Sequence, residues 1–155
     1  MSLARLKART PSAKRIGTFI LPGHSLRFHM ISDNDGSGKC DALFTGRADD
    51  SVIGALFEIV DSEKEILDKV EGLGYWYQSK MVSVSDTQGK VFEALTYYAV
   101  RIHPCVLPYS WYLYHVLYGA KEIGVPVDYL AAIENTQTIE DPDRERDARE
   151  RAIYR

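Results

Sequence analysis

Apolar positions along this chain recur mainly at a period of two, and the longer such runs predict strands. Ile16, Phe19, Ile20 and Leu21 mark a strand over residues 15–21. After the turn Pro22-Gly23-His24, residues 26–31 form a second, and residues 40–46 a short third beyond the turn-forming loop 33–38. Residues 51–60 are apolar on both sides as far as Glu58, the pattern of a strand covered on both faces. The period then lengthens. Ser62-Glu63-Lys64-Glu65 has the form of a capping box and opens a helix over 62–70, with Ile66, Leu67 and Val70 as its inward stripe. Two more strands, 76–85 and 90–101, flank the hairpin connector Asp86-Thr87-Gln88-Gly89. Pro108 introduces an aromatic helix over 109–123, Gly124-Val125-Pro126 stops it, and 127–135 is a further helix. A short helix over 2–9 ends before Pro11. Six strands in hairpin order, one inserted helix and trailing helices predict an α+β fold: a small, mostly antiparallel, β-barrel-like sheet with flanking helices.

The 155 residues suit one domain over 1–136, followed by a charged helix or tail over 137–155. A net charge of −3 gives no global pull toward nucleic acid or an anionic membrane. No apolar stretch is long enough to span a bilayer, and no signal core opens the chain, so the expected location is cytoplasmic. Two cysteines, Cys40 and Cys105, read as reduced thiols in or near the core. Residues 1–16 carry Arg5, Lys7, Arg9, Lys14 and Arg15 without an acid, which reads as a solvated helix and loop.

Most chemical motifs are missing. His24, His29, His103 and His115 lack zinc spacing and read as surface or edge residues. There is no nucleophile elbow and no local cysteine–histidine pattern. The run Asp35-Gly36-Ser37-Gly38-Lys39 has neither the spacing nor the following helix of a phosphate loop, and reads as a surface turn. No cofactor is expected. What remains is Glu71-Gly72, where the 62–70 helix gives way to Leu73-Gly74-Tyr75-Trp76-Tyr77. A carboxylate at a helix C-terminus opposes the helix dipole. Walled by aromatic rings, it would hold a raised pKa and move protons near neutrality.

Three blocks resemble the γ-glutamylcyclotransferase-like (AIG2-like) family: Val52-x-Gly54-Ala55-Leu56-Phe57-Glu58; Leu67 to Gly72 with Tyr77 and Met81-Val82-Ser83-Val84; and Pro108-Tyr109-Ser110-Trp111-Tyr112 followed by Gly119 to Tyr129. The resemblance covers about residues 1–135. It implies a cavity at one end of the sheet and release of 5-oxoproline from γ-glutamyl compounds, with Glu71 as general acid/base. It also implies substrate-binding roles for Tyr77 and Tyr112, with Gly72 beside them. Family members carry a Tyr-Gly-Ser-Asn element on a strand just before a helix like 2–9, and Met1 aligns just after it. A shortened chain, a segment supplied by another chain, and a degenerate member each account for that.

Three readings follow. The first is an enzyme acting on a small-molecule γ-glutamyl substrate, as a monomer or homodimer. The second is a non-catalytic small-molecule-binding member of the same fold, and the third an interaction protein whose aromatic helix forms a dimer face.

Overall fold

The computed structural model describes residues 2–154. Its strands are β1 (Lys14–Pro22), β2 (His24–Ile31), β3 (Gly38–Phe44), β4 (Ser51–Glu58), β5 (Tyr77–Ser85) and β6 (Val91–Ala99). Its α-helices are α1 (Leu3–Lys7), α2 (Asp61–Glu71), α3 (Ser110–Glu122), α4 (Val127–Glu134) and α5 (Arg144–Arg151), with a 3-10 turn at Ala152–Tyr154. One sheet has the order β4-β1-β5-β6, and β2 and β3 form a separate antiparallel pair. All named pairings are antiparallel.

The two sheets lean together without closing. The chain leaving β6 joins β2, where the Ile31 amide donates to the Arg101 carbonyl at 3.0 Å and the His103 amide to the His29 carbonyl at 2.9 Å. The carboxylate of Asp41 on β3 accepts from the Ala99 amide at 2.8 Å and contacts His29 Nε2 at 2.8 Å. One short side chain thus ties β2 and β3 to the end of β6. At the start of β3 the backbones run unusually close: a Cβ on Gly38 would lie 2.4 Å from the Phe28 carbonyl oxygen. Only glycine fits there, so the 35–40 run is packed against its neighbours, with Ser37 fully buried; it is not the surface turn the sequence suggests.

Phe19, Leu21, Val84 and Ala94 form the core of the larger sheet. A second cluster, Leu113, Ala120 and Ile133, packs α3 on α4 and reaches Leu26 and Phe28 of β2. Phe19 meets Phe92 edge to face at 5.1 Å, a geometry worth about 1 kcal/mol beyond burial.

Two expectations for α2 fail for a tertiary reason. Its N-cap is Val60, with no side-chain capping bond, and Ser62 lies inside the helix. The partner comes from 48 residues away: the Ser12 hydroxyl accepts from the Val60 amide at 3.0 Å. The Ser12 amide and hydroxyl in turn donate to the Glu63 carboxylate. Ile66 and Val70 are also exposed where an inward stripe is expected: α2 contributes no residue to the core of the larger sheet, and Val70 borders the cavity described below.

Residues 137–154 pack onto the rest. Asp141 is buried and accepts a two-pronged contact from Arg146, at 2.6 Å to each oxygen, together with the Trp111 indole N–H at 2.7 Å. No helix among the described residues is long and apolar enough to cross a membrane.

Candidate active site

Helix α2 delivers Glu71 as its last residue. Gly72 follows at φ +64°, the left-handed conformation that closes helices. Its N–H donates to the Lys69 carbonyl and that of Leu73 to the Asp68 carbonyl, forming a Schellman closure. The Trp76 indole lies over Gly72 so closely that a Cβ would meet it at 2.4 Å. The chain then turns into β5 at Tyr77. The backbone on both sides of Glu71 is therefore fixed, and its carboxylate points inward.

It points into a cavity of about 500 Å³ between the two sheets and α3. Arg9, Glu71, Tyr77, Cys40, Tyr112 and His115 are among the residues that line it. The sequence-predicted residues Glu71, Tyr77 and Tyr112 thus share one space. Gly72 is outside the lining and acts through the backbone corner it makes.

Two tyrosines grip the same peptide segment. The Tyr77 hydroxyl donates to the Cys40 carbonyl at 2.7 Å, and the Tyr112 hydroxyl accepts from the Cys40 amide at 3.0 Å. Burial raises both phenols, so both keep their protons at neutral pH. The Tyr77 proton is committed to that carbonyl. The Tyr112 proton has the Cys40 thiol as its neighbour, a weak acceptor, and remains open to a better one. Burial pushes the Cys40 thiol up to about 11. Cys105 is exposed on a loop, against the expectation of a near-core thiol, since Pro104 and its neighbours run along the surface.

Glu71 is largely buried, and Arg9 Nη1 donates to its Oε1 at 3.3 Å. Loss of water raises the Glu71 carboxyl, and the positive charges of Arg9 and Arg5 pull it partly back. Burial likewise lowers the Arg9 guanidinium. Desolvation outweighs the attraction on both partners, as expected of a buried pair with a single contact.

Beneath this pair lies a connected polar floor. Arg5 contacts Glu150 at 3.4 Å, and Glu150 meets His115 Nε2 at 2.9 Å. His115 Nδ1 lies 3.0 Å from the Tyr154 hydroxyl, which lies 3.0 Å from Ser2 Oγ. Burial lowers the His115 imidazole and favours its neutral form. A hydrogen between ring and carboxylate then requires the Nε2–H tautomer, with Nδ1 accepting from Tyr154. His24 and His115 are both buried, correcting the expectation of surface histidines: each ring has found polar partners inside. Lys39, also lining the cavity, reaches back to Asp35 at 2.7 Å and lies 4.8 Å from the centre of the Tyr112 ring. Among the described residues no group of three or more His, Cys, Asp or Glu side chains comes together to hold a metal ion.

Arg5, Arg9, His115 and Glu150 carry no local motif in the sequence. The acid-free run over 1–16 is the one signal that bears on Arg5 and Arg9. A second cavity of about 670 Å³ lies outside β2 near α4, is more open, and holds none of the predicted site residues.

The sequence matches the model of the AIG2-like family over residues 51–133, more than half of the chain. The chain belongs to the AIG2-like family. Among solved structures, this AIG2-like protein is similar to one described as a gamma-glutamyl cyclotransferase, at 21% identity and a TM-score of 0.86, covering 99% of this chain and 92% of that one. It is also similar to an uncharacterized protein from Homo sapiens, at 22% identity and a TM-score of 0.85, covering 98% and 91%. YkqA from Bacillus subtilis matches at 20% identity and a TM-score of 0.71, covering 88% of this chain and 49% of YkqA. At such identities the likeness is one of fold. No curated protein matches the sequence.

Proposed function

We propose that this protein releases 5-oxoproline from a γ-glutamyl amine or peptide, with Glu71 as the proton carrier. The observation that carries the reading is a largely buried carboxylate opening onto a cavity of about 500 Å³ beside two protonated tyrosines. A γ-glutamyl compound holds its α-amine on the same chain as its γ-carbonyl. Closing a five-membered ring is then intramolecular, and much of the entropic barrier is absent. The substrate's α-ammonium is unreactive until it loses a proton. Glu71 takes that proton, the free amine adds to the γ-carbonyl carbon, and the C–N bond to the leaving amine breaks as Glu71 returns the proton to it; the ring nitrogen's second proton follows, so that the products are the lactam 5-oxoproline and an ammonium. Burial suits the carboxyl to both halves by raising its pKa. The Tyr112 hydroxyl, whose proton has only the weakly accepting Cys40 thiol beside it, donates to the carbonyl oxygen as it gains charge.

The test is incubation with a panel of γ-glutamyl amines, dipeptides and γ-glutamyl-lysine, with 5-oxoproline as readout. Glu71→Gln lowers turnover about 10²–10⁴-fold, the usual weight of a general acid/base, with an unchanged circular dichroism spectrum. Absence of 5-oxoproline from every member of the panel removes the enzyme reading. A second reading, a small-molecule-binding protein without turnover, draws on the contact that engages Glu71 with Arg9. It predicts that amino acid ligands raise the melting temperature while no product forms.

A further inference from the structure

The cavity's charged groups differ in how fully they are engaged. Lys39 bonds to Asp35 and Ser37, Asp41 to His29 and the Ala99 amide, and Glu150 to both Arg5 and His115. Arg9 and Glu71 are the cavity ion pair in which, among the described residues, neither side chain makes another hydrogen bond. A guanidinium has five donors and a carboxylate about four acceptor positions, so most of the pair's capacity is unspent. No buried side-chain polar atom among the described residues lacks a partner. The unspent atoms are therefore reached by solvent, and both residues line the cavity. The one contact is 3.3 Å, long beside the usual ~2.7–2.9 Å of a charge-assisted bond, and rearranges at little cost.

Both ends are mounted firmly. Thr10, next to Arg9, is fully buried, and its amide and hydroxyl donate to the Leu6 carbonyl at 2.8 and 3.1 Å. Glu71 is held by the closure at Gly72. A cation and an anion are thus fixed side by side, with valences to spare, in the lining of the same space. An α-amino acid head is a complementary dipole, its ammonium nitrogen and carboxylate carbon about 2.5 Å apart by standard bond lengths and angle.

We propose that Arg9 and Glu71 form a dipolar clamp for an α-amino acid head, Arg9 taking the ligand's carboxylate and Glu71 its ammonium. The clamp rests on the reading that the cavity holds a γ-glutamyl compound, and adds the group that recognises the α-carboxylate. It orients the ligand so that the ammonium to be deprotonated lies on the base. It also explains why a base would carry a neighbouring arginine: the cation that weakens its basicity is shared with the ligand's carboxylate on binding.

Three probes dissect the clamp by calorimetry: L-glutamine, the simplest γ-glutamyl amide; 4-aminobutanamide, which lacks only the α-carboxylate; and 4-carbamoylbutanoate, which lacks only the amine. The wild-type protein binds L-glutamine at least about tenfold more tightly than either analogue, the factor expected for one lost charge-assisted contact. Arg9→Gln erases the preference over 4-aminobutanamide and keeps part of that over 4-carbamoylbutanoate. Arg9→Lys, which retains the charge, restores part of what Arg9→Gln loses. The clamp is overturned if L-glutamine does not bind, or if Arg9→Gln and Arg9→Lys both discriminate as wild type does. The 5-oxoproline assay separates this from the enzyme reading. Discrimination without product leaves the clamp and removes turnover, while product with discrimination indifferent to Arg9 does the reverse.

Discussion

At the scale of single residues, the candidate site depends on a glycine that lies outside the cavity lining. Gly72 allows the turn that ends α2, and any side chain there meets both a φ of +64° and the Trp76 ring at 2.4 Å. The left-handed backbone alone costs an ordinary residue roughly 1–2 kcal/mol, and the overlap adds a comparable amount. Gly72→Ala is therefore expected to destabilise the protein by at least about 2 kcal/mol in urea unfolding. If the variant folds, Glu71 shifts with the corner, and activity falls more than the change in folded fraction explains. An unchanged unfolding midpoint would contradict this account.

At the scale of elements, α5 is held by one buried carboxylate. Asp141 accepts from Arg146 and Trp111 and lies on the Asp143 amide at 2.8 Å. Asn in its place keeps the shape but weakens the contacts with Arg146 and Trp111, so Asp141→Asn is expected to cost about 1–3 kcal/mol by chemical denaturation. Asp141 also shows what the sequence withholds. The alternating charges of residues 140–151 announce an exposed helix with neighbouring pairs, and Arg151–Asp147 is one. That a single acid among them turns inward to Trp111 depends on α3, 30 residues earlier, and no local pattern encodes it. The same division runs through the rest. The β5–β6 hairpin and the stop at Gly72 are legible because turn chemistry and the left-handed glycine are local. Ser62 looks like a cap, but Ser12 supplies the contact from a distant loop. Glu71 is visible as a carboxylate out of place on a helix dipole. Arg9 is invisible because its meaning arises only when the turn after α1 meets the last residue of α2.

For the whole molecule, these groups predict how stability varies with pH. Hydrogen bonds from Arg146 hold Asp141 well below its ordinary 3.8, so its contribution is present above that pH and is lost as acid takes the carboxylate through its folded value. Glu71 runs the other way. Burial raises it above 4.5, so the folded state binds its proton more readily than the unfolded chain, and stability declines as pH rises from 4.5 through the raised value. Urea midpoints measured across pH should show an acid loss that Asp141→Asn flattens, and a shallow decline above 4.5 that Glu71→Gln removes. Curves that coincide for all three proteins would refute both assignments. The two thiols, finally, equip the native protein as its own probe. Cys105 stands in the open and offers a point for attaching a maleimide fluorophore away from the cavity, while Cys40 is sequestered and its thiolate scarce. Slow alkylation of Cys40, and its further slowing by a bound ligand, would time the opening of the space between the sheets without an engineered label.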